Sequence, residues 1–174
     1  DDPLTFEAYE GMIVSFAEEL TVSEYYELFR YGQITLYADG RPEQFSQFNE
    51  PDATGYEAYM EELAARRIIL DDGNSSQNAS LPDGVIPYPM PDGLSIGTQG
   101  EDFFRGGDVV VDLTGVFNYT FGEWVLDPTE AEPVEFTPVN TRPEDFADAE
   151  PNQLRVASFN VLNYFTTIDD GTNT

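Results

Sequence analysis

The run Asp108-Val109-Val110-Val111-Asp112-Leu113-Thr114-Gly115-Val116-Phe117-Asn118-Tyr119 carries the strongest strand signal in the chain. Its β-branched and aromatic side chains suit a pleated, half-buried surface. Thr120-Phe121-Gly122 reads as a turn, and Glu123-Trp124-Val125-Leu126-Asp127-Pro128 as the return strand of a hairpin. A short strand around Val134-Glu135-Phe136 is expected to complete this part of the chain.

Upstream of the hairpin, residues 74–107 are rich in Ser, Asn, Pro and Gly. Pro82, Pro87, Pro89 and Pro91 argue against a regular element there, and so long a loop is the expected place for partner contact. Before it, Arg67-Ile68-Ile69-Leu70 reads as a buried strand stopped by Asp71-Asp72-Gly73. The period changes over residues 56–67. Tyr56, Tyr59, Met60 and Leu63 fall at i, i+3, i+4 and i+7, which predicts an amphipathic helix of about three turns. Residues 43–54 read as loop, and Gln33-Ile34-Thr35-Leu36-Tyr37 as a strand ended by Ala38-Asp39-Gly40-Arg41-Pro42. Gly11 to Phe16 and Leu20 to Ser23 form either one long bent strand or two short ones.

Several strands, one helix inserted mid-sheet and a long hairpin predict a mainly β domain, a small OB-like β-barrel over residues 1–137. An OB barrel carries its helix between the third and fourth strands, so the match is approximate. Residues 138–153, with Pro138, Pro143 and Pro151 among acids, read as an acidic linker. Residues 154–174 then begin with a new buried strand that has no evident partner in this chain.

Composition limits the chemistry. The chain has 174 residues, 40 % hydrophobic and 14 % aromatic, enough to form a core. Thirty-four acids against seven bases, all arginine, give a formal net charge of -27. Such a field repels phosphate backbones and anionic lipid, and it suits a salt-adapted or a generic acidic secreted protein. Without cysteine there is no disulfide or thiolate metal site. Without histidine, a Ser-His-Asp triad, His-ligated zinc and imidazole acid/base catalysis are excluded within the chain. Carboxylate chemistry and hard cations on oxygen ligands remain. No apolar run approaches the roughly twenty residues of a membrane span. Asp1-Asp2-Pro3 is not a secretory leader, and both ends read as cut from a longer chain.

The segment Leu154-Arg155-Val156-Ala157-Ser158-Phe159-Asn160-Val161-Leu162-Asn163-Tyr164-Phe165 resembles the opening strand of the endonuclease/exonuclease/phosphatase fold, as found in large secreted bacterial extracellular nucleases. The upstream chain is similar to the domain preceding the nuclease in those proteins. The likeness is carried by Tyr9-Glu10-Gly11-Met12, Arg30-Tyr31-Gly32-Gln33, Arg66 to Gly73, Gly106 to Val116, Tyr119 to Gly122 and Leu126-Asp127-Pro128. The resemblance implies an OB-like accessory region followed by the incomplete start of an α/β domain that hydrolyses phosphodiesters of DNA or RNA with Mg²⁺ or another divalent cation. It implies a secreted, extracellular bacterial protein whose barrel has its own downstream catalytic domain as partner. Asn160 matches the asparagine that helps organise metal and scissile phosphate. A side-chain amide can orient a carboxylate ligand, a water or a phosphate oxygen. The ordinary reading of Asn160 is a strand-ending polar residue. The remaining machinery would lie past Thr174, so the chain alone is expected to be inactive.

Other candidates rest on residue type. Asp71 and Asp72 are weak candidates for a hard-cation site, but their spacing does not make an EF-hand loop and a plain acidic turn accounts for them. Tyr119 and Trp124 offer stacking surfaces, and Arg66, Arg67 and Arg105 phosphate contacts, for weak single-strand binding. Ordinary core and hairpin packing accounts for the same aromatics. Acid pairs such as Glu61-Glu62 are expected by chance among 34 acids and do not argue for glycoside hydrolysis. A stand-alone acidic binding or structural module is the alternative to the nuclease reading.

Overall fold

A computed structural model describes residues 6–77, 85–86, 94–95, 104–129, 131–139, 151–154, 156 and 158. The chain divides into two compact units, Asp1–Thr141 and Arg142–Thr174. The first is mainly β. Its strands are β1 (Ile13–Phe16), β2 (Leu20–Glu24), β3 (Ile34–Ala38), β4 (Arg67–Leu70), β5 (Val85–Ile86), β6 (Leu94–Ser95), β7 (Val109–Val110), β8 (Leu113–Thr120) and β9 (Glu123–Pro128). The helices are α1 (Leu28–Tyr31) and α2 (Ala53–Ala65). Among the described residues no helix is long and apolar enough to cross a membrane.

The seven-stranded sheet runs β1-β8-β9-β4-β3-β2-β7, antiparallel except for the parallel pair β4–β9. Its two ends are pieces of the same strands. β1 and β2 are separated by residues 17–19 and form one long bent strand, and β7 and β8 are separated only by residues 111–112. These two composite strands pair along their length, Phe16 with Leu113 and Leu20 with Val110. Four steps on one strand face three on the other, so the extra residue of a bulge lies among residues 17–19, opposite Val111 and Asp112, whose φ is 52°. A flat sheet would separate β1 from β2 by about 24 Å at five strand spacings, whereas three linking residues reach about 14 Å. The sheet therefore curls so that its ends approach, a small OB-like barrel with the helix moved forward by one connection.

Alternation fills the barrel. Ile34, Leu36, Leu70 and Leu126 are fully buried, and Phe117 joins them at 2 % exposure. Leu70 pairs with Leu126 and Leu126 with Phe117, one apolar row crossing three strands. Ile69 and Val125 pair on the opposite face, as the two-residue period requires.

Local departures from the sequence reading have physical causes. The helix begins at Ala53 because the Asp52 side chain caps it, accepting from the Thr54 N–H at 3.2 Å. It ends before Arg67 because Arg66 is tied to β3, donating from Nη1 to the Ala38 carbonyl at 2.7 Å. Of its expected apolar face only Leu63 is buried, while Tyr56 and Met60 are exposed. Phe45 packs against Tyr56 and Tyr59 instead. The Pro-rich loop holds the short antiparallel pair β5–β6, β5 between Pro82 and Pro87 and β6 after Pro91. The segment around Val134 is not a strand. A single bridge joins Thr137 to Val109, because Pro133 and Pro138 remove the donors a longer ladder needs.

Asp108, 2 % exposed, ties that segment down. Its carboxylate accepts from the Arg105 N–H at 2.7 Å and from the Val139 N–H at 2.9 Å. Asp108→Ala leaves both donors without their acceptor and should cost about 2 kcal/mol by chemical denaturation, with Asp108→Asn costing less. A silent Asp108→Ala would contradict the role given to these two bonds.

Of the second unit, Leu154 and Val156 are exposed, at 88 % and 81 %.

Candidate functional site

The outer face of β4, β9 and β8, with Gln33 just before β3, floors a cleft of ≈ 580 Å³. Alternation puts Gln33, Ile69, Asn118 and Asp127 on this face, opposite their buried neighbours Ile34, Leu70, Phe117 and Leu126. One wall is the connection from the first to the second barrel strand, contributing Glu27 and Tyr31 around α1. The opposite wall is the β8–β9 turn, contributing Thr120, Phe121 and Glu123. The segment 73–77 after β4 completes the rim.

Carboxylates meet at the end of the parallel pair. Ile69 pairs with Val125 and Leu70 with Leu126, so the next step brings Asp71 beside Asp127 on one face. The Asp71 N–H donates to the Leu126 carbonyl at 3.0 Å, continuing the ladder to that point. Burial raises the Asp127 carboxyl to about 6, the charges of Asp71 and Asp72 push it the same way, and an Asn118 hydrogen bond opposes them. Asp71 and Asp72 are also raised, each chiefly by burial. Single oxygens of Glu27, Asp72 and Asp127 are buried without a hydrogen-bond partner. Gly32 makes room for this cluster. It ends α1 at φ 73°, and a Cβ there would lie 2.3 Å from Asp72 Oδ2.

A group that binds its proton more tightly when folded stabilises the fold only while that proton is bound. Stability from Asp127 should therefore fall as pH rises from its ordinary value of 3.8 through about 6. Asp127→Asn, which keeps the shape without the charge, should raise the thermal midpoint more at about pH 7.5 than at about pH 4.5. An equal effect at both values would mean that Asp127 is not held protonated by the fold.

The residues singled out in the sequence are placed as follows. Asp71 Oδ1 accepts from the Asp72 N–H, and Asp72 Oδ1 from the Asn74 N–H, both at 2.8 Å, so these oxygens shape the turn. Among the described residues no group of three or more acidic side chains is arranged to hold a metal ion. Arg66 is committed to the Ala38 carbonyl, and Arg67 pairs with Glu123 at 2.6 Å. Tyr119 and Trp124 are brought together across the hairpin, ring centroids 4.7 Å apart, and Trp124 stacks on Phe117 at 4.9 Å. Arg105 lies before β7, hydrogen-bonded through its backbone to Asp108. Asn160 lies outside the described residues.

The sequence reading offers none of Asp127, Glu27, Gln33 and Asn118 as a site residue, although Gln33 and Asp127 stand in motifs of the resemblance. A signal for Asp127 exists. Ile69-Leu70-Asp71 and Val125-Leu126-Asp127 share one pattern, apolar-Leu-Asp, and they pair in register. Comparison with protein-family models, curated proteins and solved structures finds no match to the chain.

Proposed function

We propose that the chain is a non-catalytic, OB-like accessory region acting beside a metal-dependent phosphodiesterase domain that begins at Leu154 in a secreted bacterial nuclease. The observation carrying the binding role is the position of the cleft. It lies on the outer face of the third, fourth and fifth barrel strands, between the loop joining strands one and two and the loop joining strands four and five. Barrels of this strand order use those two loops to bind their ligands. The nuclease assignment rests on the resemblance of residues 154–165 and on the motifs upstream of them.

The barrel takes no part in phosphodiester chemistry in this reading. Cleavage needs a metal clamp, an activated water and stabilisation of the leaving oxygen, and the cleft offers carboxylates without a metal-holding arrangement among the described residues. Asn160, by the resemblance, would orient metal and phosphate in the downstream domain with Mg²⁺ supplying the Lewis acid. The purified chain should leave plasmid DNA and RNA intact in Mg²⁺. Metal-dependent cleavage that disappears in Asn160→Ala would overturn the proposal.

A further inference from the structure

We propose that the barrel cleft is a binding site for a neutral carbohydrate. The inference rests on reading the barrel as a binding domain, and it is independent of the downstream nuclease. At ≈ 580 Å³ the cleft has the size of a small-ligand site, room for about two hexose rings.

The lining selects the chemistry. The charged side chains that line the cleft, Glu27, Asp71, Glu123 and Asp127, are all acidic. Arg67 is held by Glu123 and Arg30 lies over the Tyr31 ring at 4.9 Å, so a phosphate, sulfate or uronate would meet a mainly negative lining. A metal ion is disfavoured by the use of Asp71 Oδ1 and Asp72 Oδ1 in backbone turns and by the absence of a metal-holding group among the described residues. What remains is a mixture of planar polar groups and aromatic surface. Gln33, Asn74, Gln77 and Asn118 are planar amides already engaged in part, Gln33 with Asp71, Asn118 with Asp127 and the Tyr119 N–H, Asn74 with the Ser76 N–H and Gln77 with Tyr31. Their remaining N–H groups and lone pairs, with those of Asp71 and Asp127, face the cleft's ligand. A sugar presents adjacent hydroxyls that both donate and accept, on a ring whose C–H face is apolar.

Two aromatic side chains supply the apolar surface. Phe121 stands at the tip of the β8–β9 turn with 84 % of its surface exposed, and Tyr31 stands on the opposite wall. A phenyl ring left in water at a cleft edge has no packing role in the barrel, whereas it can cover a sugar face. Gln77 Nε2 reaches the Tyr31 hydroxyl at 3.4 Å, joining the amide and aromatic elements on one rim.

Saturation-transfer NMR and calorimetry on the chain, with maltotriose, cellotriose, laminaritriose and chitotriose as probes, test the proposal. At least one should bind saturably. Phe121→Ala removes the ring that covers the sugar face and should weaken that binding roughly tenfold, and Gln77→Ala should weaken it less. Both sites are exposed, so thermal midpoints should stay at the wild-type value and separate a binding defect from a folding defect. Absence of binding by all four sugars at millimolar concentration would overturn the proposal. So would binding indifferent to both substitutions, or saturable binding of spermidine or Ca²⁺ in place of sugar. None of these results bears on nuclease activity, whose failure would leave the cleft's ligand untouched.

Discussion

Gly115→Ala should destabilise the barrel by about 3 kcal/mol, although alanine is ordinarily the better strand residue. Replacing a mid-strand glycine with alanine gains about 0.5–1 kcal/mol from the unfolded chain alone. Here the space decides the sign. Gly115 lies in β8, paired with Val14 on one side and Pro128 on the other. A Cβ would stand 2.7 Å from the Asp127 carbonyl oxygen, 2.9 Å from its carbon and 3.0 Å from Leu126 Cγ. Two of those three atoms are backbone, which cannot swing aside without moving β9. The shift would spread to the Leu70–Leu126 pairing that joins β9 to β4. The thermal midpoint should fall by roughly 10 °C. An unchanged or higher midpoint would show that β8 and β9 do not approach so closely.

Leu126→Ala should cost about 4 kcal/mol, near the upper part of the range for buried leucines. Leu126 is fully buried, between Leu70 on one neighbouring strand and Phe117 on the other. Both neighbours are fixed by backbone ladders, so the space left by the side chain has little chance to collapse. Leu126→Met, which keeps the volume, should cost less than about 1.5 kcal/mol. Denaturant titration of both variants checks the ratio. A Leu126→Ala loss near 1 kcal/mol would indicate a barrel interior that relaxes freely.

Elements with a local signature were legible in the sequence. Residues 109–128 carry β-branched residues around a turn, and Phe121-Gly122 takes the positive φ angles, 51° and 87°, that such a tight turn needs. The Tyr56–Leu63 period marked the helix, and the closely spaced apolar runs near the start marked one bent strand or two short ones, which the structure resolves as β1 and β2. The curling of the sheet was less legible, because it depends on pairing over long separations. Leu70 meets Leu126 and Phe16 meets Leu113, and nothing in either neighbourhood specifies the other. The site was harder still. Among 34 acids, Asp127 looked like the end of a hairpin, and Asp71 and Asp72 like an acidic turn. Only the parallel register of β4 and β9 puts Asp71 and Asp127 side by side. The cleft is assembled from segments around residues 27–33, 69–77 and 118–127, so its mixture of amides, carboxylates and aromatics is invisible in any one of them.

The most direct test of the proposed role is to express the chain with whatever its gene encodes after Thr174, and to compare it with residues 1–174 on plasmid DNA and RNA in Mg²⁺. The longer protein should cleave at least one of them, lose cleavage with EDTA and with Asn160→Ala, and the shorter should be inactive. Cleavage by residues 1–174, a gene that stops at Thr174, or a longer protein inert on both nucleic acids would contradict a barrel serving a downstream nuclease.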